Sequence, residues 1–313
     1  MDCVDGAARP VDESALEAFP EKGLRWLHFN LVDRRSRNWI AGASTLPSAV
    51  RELLLSEESH PQAIVEQGFL AAILPDYERD FEKEEPTRIG MLHFAVGPRV
   101  LITARRHPLR SADVIRQRFA AGASVPDQAT ALQMLIGAMT EVAAQVLHGL
   151  ELSAQSAEDA LLDESQSPDI RGLAGLRRRT VRLHRMVTGI RTVFHRVEED
   201  EDLPEVLRPA IEQIAQRLAA LDGDVMAMQA RLRLLREEMD IEINQRTNQN
   251  LYLLSIMTAL MLPPTLITGF FGMNTGGLPG AGSHTGTIAA GGLILGSALA
   301  VFVVLRAMGF VRR

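Results

Sequence analysis

The sequence predicts an α+β body joined through a long helical stalk to two C-terminal apolar helices. Three observations carry this reading. Residues 247–305 contain no Asp, Glu, Lys or Arg, although 23% of the 313 residues are charged. Four short apolar runs bounded by Gly, Pro or charge fall before residue 105, and strand signals vanish from Pro126 onward. Between Leu207 and Met239 the apolar residues alternate steps of four and three without a miss. The mean hydropathy of +0.03 is therefore an average over two solvents.

Residues 1–125 read as a cytoplasmic α/β domain. The runs 24–31, 69–74, 88–96 and 99–104 are its strands, and helical spacing appears over 47–56 and 113–121. The first twenty residues lack the basic start and apolar run of a secretory signal. Residues 126–202 read as two long helices, 127–163 and 171–199, with a break near 165–169. In the second, Leu176, Leu183, Met186, Ile190, Val193 and Val197 keep the helical rhythm. Pro204 is expected to open a third helix. Residues 203–250 form the stalk, whose positions Leu207, Ile211, Ile214, Leu218, Leu221, Val225, Met228, Leu232, Leu235 and Met239 make the seam of a coiled coil. No Gly or Pro signal stops this helix before Leu251, so it continues into the apolar segment.

The segments 251–271 and 288–305 are each long enough, at 1.5 Å per residue, to span roughly 27 to 32 Å, the thickness of a hydrocarbon core. Arg246 precedes the first, and Arg306, Arg312 and Arg313 mark the basic tail 306–313 after the second. The connection 272–287 carries only His284 as a titratable group. Excess basic charge on the flanks predicts a multi-pass protein of the inner membrane with both termini cytoplasmic. Pro263 and Pro264 interrupt the backbone ladder of the first span, which a membrane tolerates against protein or a watery cavity. A stalk entering a bilayer suggests an oligomer, and copies of a partly polar stripe, Asn248, Leu251, Ser255, Thr258, Leu262 and Thr265, can line a pore. The same small polar residues also suit plain helix-on-helix packing.

Several chemistries are excluded. A single cysteine, Cys3, leaves no disulfide framework or thiolate-rich metal site. His28, His60, His93, His107, His148, His184 and His195 show no metal-ligand spacing, and no phosphate-cradling loop or nucleophile arrangement is present, so no enzyme and no resident cofactor are expected. The cluster Arg177, Arg178, Arg179, Arg182 and Arg185 lacks interleaved aromatics. It reads as an ion-pairing helix face, not a nucleic-acid surface. The acidic runs 82–85 and 198–202 either solvate helix ends or, with a net charge of -6, raise the local cation concentration.

The first apolar span closes on Phe271, Gly272, Met273 and Asn274, and a second span and a short basic tail follow. In this position Gly-Met-Asn resembles the signature of the CorA metal-ion transporter superfamily. Pro263, Thr265, Ile267, Gly269 and Phe271 also match that family's usual run. The resemblance implies a funnel-shaped homopentamer in a lipid bilayer, with five loops around the outer mouth. Gly272, Met273 and Asn274 then form the selectivity entrance, where Asn274 oxygens bind a divalent cation through its hydration shell, Gly272 supplies a sharp turn and Met273 packs the loop. The following Thr275, Gly276, Gly277, Leu278, Pro279 and Gly280 carry no carboxylate and resemble the zinc-transporting ZntB branch, as do the segments Trp26 to Asn30 and Leu101 to Ser111. That branch implies zinc uptake coupled to protons. His284 is a further candidate zinc ligand. A magnesium or cobalt channel of the same architecture stands beside this reading. From another class, so does a membrane-anchored scaffold or sensor without transport.

Overall fold

The computed structural model describes residues 2–4, 7–9, 23–80, 88–162, 169–273 and 284–310. They divide into two compact units, Met1–Arg236 and Glu237–Arg313, each taken by itself below.

In the first unit, alternation of apolar residues builds a seven-stranded sheet: β1 (Asp2–Val4), β2 (Ala7–Arg9), β3 (Leu24–Asn30), β4 (Gln62–Glu66), β5 (Phe69–Tyr77), β6 (Ile89–Gly97) and β7 (Val100–Arg105). The spatial order is β2-β1-β3-β7-β6-β5-β4. Only the β3–β7 pair is parallel, with His28 opposite Thr103; every other pair is antiparallel. All of β5 is buried, which explains its near-continuous apolar run. It reaches three residues beyond the expected Leu74, through Pro75. There β4 has already ended at Gln62 opposite Ile73, so a missing backbone donor is tolerated.

The sheet has more strands than the sequence patterns announced. β4 escapes a periodicity search because it is short and evenly half-buried, without a polar face to contrast with an apolar one. Its turn does carry a signal: Gln67 (φ 49°) and Gly68 (φ 81°) are both left-handed, as a two-residue hairpin between right-twisted strands requires. β1 and β2 are too short to register as periods.

Two helices cover one face of the sheet. The first, α1 (Arg34–Gly42), was absent from the sequence reading, because an arginine-rich segment with a single fully buried residue, Ile40, has little apolar pattern. Its start is nonetheless marked by Asp33, whose carboxylate accepts the Arg35 amide at 2.9 Å. The second, α2 (Ser48–Leu55), agrees with the expected 47–56 helix. Val50 and Leu54 join Leu27, Ile73 and Ile102 in one apolar core. The opposite face receives α3 (Arg110–Ala120) and α4 (Gln128–Leu162), and Phe119 of α3 stacks on Trp26 at 5.0 Å.

Three long helices follow the sheet: α4, α5 (Ile170–Glu198) and α6 (Arg208–Phe271). Helix α6 opens four residues beyond Pro204, because Leu203 to Arg208 form turns closed by bonds such as Leu207 N to Pro204 O at 2.8 Å. The proline in its first turn is Pro209, where a missing amide hydrogen costs nothing. The seam from Leu207 to Leu235 is buried at every one of its positions. Its neighbours are this chain's own α4 and α5. Gln133 donates to Gln213 at 2.9 Å, Arg231 reaches Glu158 through paired bonds of 2.7 and 2.5 Å, and Thr188 and Arg191 bond Asp222 at 3.1 and 3.0 Å. The coiled-coil pattern is thus satisfied, over these positions, by helices of the same chain.

Among the described residues three helices are long and apolar enough to cross a membrane, one more than expected. The additional one is α4, whose apolar window is more than half buried against α3, α5 and the sheet. The windows of α6 and of α7 (His284–Ala307) have no buried residue.

Candidate ion pathway in the C-terminal helices

The second unit holds the end of α6 and all of α7. Tyr252, at the start of the apolar part of α6, stacks on Phe310, just past the end of α7, with ring centroids 6.2 Å apart. The two helices are therefore antiparallel and return to the same side. On α6 the half-buried positions are Ile256, Ala259, Leu260, Pro263, Pro264, Ile267 and Phe271, one stripe at helical spacing. The half-buried stripe of α7 is rich in small residues, Gly286, Ala290, Gly291, Ser297 and Ala298, the composition that lets membrane helices approach closely.

The six residues of the expected pore stripe, Asn248, Leu251, Ser255, Thr258, Leu262 and Thr265, are all exposed in the single chain. At 100° per residue their mean direction lies roughly 150° from that of the half-buried stripe. They share one face of α6, turned away from its packed side. Leu251 and Leu262 leave 55% and 67% of their surface uncovered there, apolar area that water would not tolerate in a folded monomer.

The hydroxyls on this face have a fixed polarity that spacing alone does not reveal. Ser255 Oγ donates to the Leu251 carbonyl at 2.8 Å, Thr258 Oγ1 to Leu254 at 2.8 Å and Thr265 Oγ1 to Met261 at 2.7 Å. Each proton is spent on the helix's own backbone, so each oxygen presents only lone pairs outward. Such a surface accepts hydrogen bonds from the water around a cation and repels no positive charge. Pro263 and Pro264 lie inside α6 and have no amide hydrogen for the carbonyls of Ala259 and Leu260, adding acceptor capacity at mid-helix. The last charge before this segment, Arg246, is bound by Glu242 at 2.7 Å one turn earlier.

At the far end of α6, the Gly272 amide bonds the Thr268 carbonyl at 2.9 Å and the Met273 amide reaches Phe270 at 3.4 Å. Gly272 lies in a turn at the end of α6 but outside the left-handed region. Its glycine identity has another cause: a Cβ here would sit 2.9 Å from the Thr268 oxygen. Met273 is 46% exposed. Asn274 and residues 275–283 lie outside the described residues. His284 is the first residue of α7, so it opens a helix where a loop was expected. Among the described residues no cluster of three His, Cys, Asp or Glu side chains could hold a metal ion.

In the first unit, the segments Trp26 to Asn30 and Leu101 to Ser111, noted separately in the sequence, become neighbours across the β3–β7 pair. The Thr103 hydroxyl accepts Trp26 Nε1 at 2.8 Å and lies 2.9 Å from His28 Nδ1, while Arg105 Nε donates to His28 Nε2 at 2.9 Å. With Nε2 accepting, the ring is neutral and Nδ1 carries the proton. Desolvation of the ring and the Arg105 cation push the His28 pKa down to about 4. Both nitrogens are occupied, so this histidine is a structural group and not a metal ligand.

The CorA-like Mg2+ transporter protein family model matches residues 21–307. Zinc transport protein ZntB of Cronobacter sakazakii is 26% identical over 284 residues, covering 90% of this chain and 85% of that protein. The solved full-length CmaX protein superposes with a TM-score of 0.77 at 24% identity, covering 96% of this chain and 94% of that one. The complete CorA magnesium transporter of Methanocaldococcus jannaschii gives 0.75 at 19% identity, covering 96% and 95%. The two structures share the fold of this chain from its sheet to its terminal helices, and with a family match over nearly the whole length the chain belongs to the CorA family of metal-ion transporters.

Proposed function

We propose that this chain carries zinc across the inner membrane as a homopentamer, with its two C-terminal helices spanning the bilayer and both termini in the cytoplasm. The supporting observation is the trio of hydroxyls on the exposed face of α6, Ser255, Thr258 and Thr265, whose protons are all turned back onto the helix. Five such faces around an axis offer lone pairs to the hydration shell of a divalent cation and no fixed charge to trap it. The antiparallel return of α7 to the level of Tyr252 suits two spans with termini on one side. The apolar window of α4 is committed to the packed core, which supports two spans over three.

Gly272, Met273 and Asn274 are assigned to the entrance, with Asn274 oxygens hydrogen-bonding the hydrated ion. Zinc is preferred over magnesium because the ZntB proteins are the similar curated relatives and because residues 275–280 carry no carboxylate. His284, at the start of α7, is assigned to the mouth as a candidate zinc ligand.

The test is flux into liposomes loaded with a zinc-sensitive dye, with magnesium as competitor and with or without an imposed pH gradient. Zinc uptake that magnesium fails to suppress, and that a proton gradient accelerates, is the expected result. Asn274→Ala flux equal to that of the unmodified protein overturns the entrance assignment. Absence of any metal flux from intact oligomers favours a scaffold or sensor.

A further inference from the structure

We propose that the groove between α5 and α6 binds a phosphomonoester carried on an apolar or heterocyclic body. A cavity of about 220 Å³ opens there. Its exposed rim is formed by Arg177 from α5 and Arg233 and Arg236 from α6, and its floor by Leu173, Val181 and Leu232. Leu173 and Leu232 are buried, so the cavity joins an apolar base to a cationic edge.

Some cations of these helices find carboxylates: Arg231 grips Glu158 with two bonds, and Arg191 reaches Asp222 at 3.0 Å. Among the described residues Arg177 and Arg233 form no ion pair, and neither do Arg178 and Arg185. Of the α5 cluster, Arg177, Arg178 and Arg185 thus lack the expected ion pair among the described residues, while Arg179 and Arg182 have partners. Like charges gathered at one cavity repel, and a bound dianion relieves that repulsion. Guanidinium forks match the oxygens of a phosphate in pairs, which a single carboxylate does not exploit. Thr180, at the base, is fully buried and donates its proton to Leu176 O at 3.0 Å, so its hydroxyl is satisfied without a ligand. The volume is below the roughly 300 to 1,000 Å³ of drug-sized pockets, so the phosphate and the adjoining part of the body are enclosed and the remainder stays in solvent.

A nucleotide, a sugar phosphate and a phosphatidic lipid all present this chemistry, and the experiment separates them. The purified full chain in detergent is titrated by calorimetry with a nucleoside monophosphate, a hexose monophosphate, dihexanoyl phosphatidic acid and inorganic phosphate. At least one organic phosphate is expected to bind, at least about tenfold more tightly than inorganic phosphate, since burial of the attached body adds to the phosphate contacts. The double variant Arg177→Gln, Arg233→Gln is expected to weaken it by about tenfold or more. Both residues are exposed, so the helices keep their packing. The control Arg178→Gln, outside the cavity, is expected to leave affinity unchanged. Failure of all three organic phosphates to bind overturns the proposal. So does equal affinity for inorganic phosphate, an unaffected double variant, or a loss in Arg178→Gln as large as in the double variant.

Discussion

Asp76 makes the physical reasoning measurable. It lies on β5 with 1% of its surface exposed, and its carboxylate accepts Tyr77 N at 2.8 Å, Ser111 Oγ at 2.5 Å and Ser111 N at 3.3 Å. These bonds fasten the first turn of α3 to the sheet. Burial raises its pKa from 3.8 to about 6, against the hydrogen bonds, which lower it. A raised pKa in the folded state means that folding retains a proton the unfolded chain has released. The associated stability is complete below 3.8 and lost as pH rises through about 6. That span corresponds to about 3 kcal/mol. Asp76→Asn abolishes the titration, at the cost of one acceptor worth about 1 kcal/mol. The variant is thus expected to be less stable than the unmodified protein at pH 4 and more stable at pH 7. At about 2 to 4 °C per kcal/mol for a unit of this size, the difference in melting temperature should swing by roughly 6 to 12 °C. Thermal unfolding of the full chain in detergent at pH 4, 5, 6 and 7 measures it. A difference that stays flat across that range refutes the claim that burial governs Asp76.

His28 runs in the opposite sense. Its lowered pKa gives stability that is complete above 6.5 and lost as pH falls toward about 4, so the pH profile of Asp76→Asn should rise over this interval, and a falling profile counts against the neutral, doubly bonded ring. Leu218→Ala, at a fully buried seam position, should cost about 2 to 5 kcal/mol, whereas Met226→Ala, 56% exposed on the same helix, should change stability by less than about 0.5 kcal/mol; equal losses in denaturant titrations would contradict the intrachain seam. Gly272→Ala brings a methyl to 2.9 Å from the Thr268 oxygen, and should slow zinc flux while the oligomer, checked by size-exclusion chromatography, stays intact. Leu251→Asn replaces an apolar ring at the proposed pore face and should raise zinc leak in liposomes; unchanged flux argues against a gate that closes by dewetting.

What the sequence determined by itself is whatever depends on local period and composition. The stretch from Thr247 to Leu305, without Asp, Glu, Lys or Arg, marks the candidate membrane part, because so long an uncharged apolar run suits a hydrocarbon solvent. The three-and-four rhythm from Leu207 to Met239 marks buried positions, and all ten are buried. The stripe from Asn248 to Thr265, proposed to line a pore, could likewise be written down from helical geometry, and its six residues are all exposed on α6. Strands β1 and β2 were illegible because three residues make no period, and β4 and helix α1 because each buries too little of a periodic face to stand out from its flanks.

Tertiary structure decided which partner fills each face, a question periodicity leaves open. A heptad-like seam serves equally well against a second copy or against helices of the same chain, and here α4 and α5 occupy it. Apolar length alone marks α4 as a possible span, while its packing on the sheet commits it to the core. Arg177 of α5, expected to sit on an ion-pairing face, lines a cavity with no carboxylate among its described lining residues. The hydroxyls of α6 are acceptors because the helix carbonyls claimed their protons. The physical reason is common to these cases: periodicity records which side of an element is covered, and only the folded chain determines what covers it.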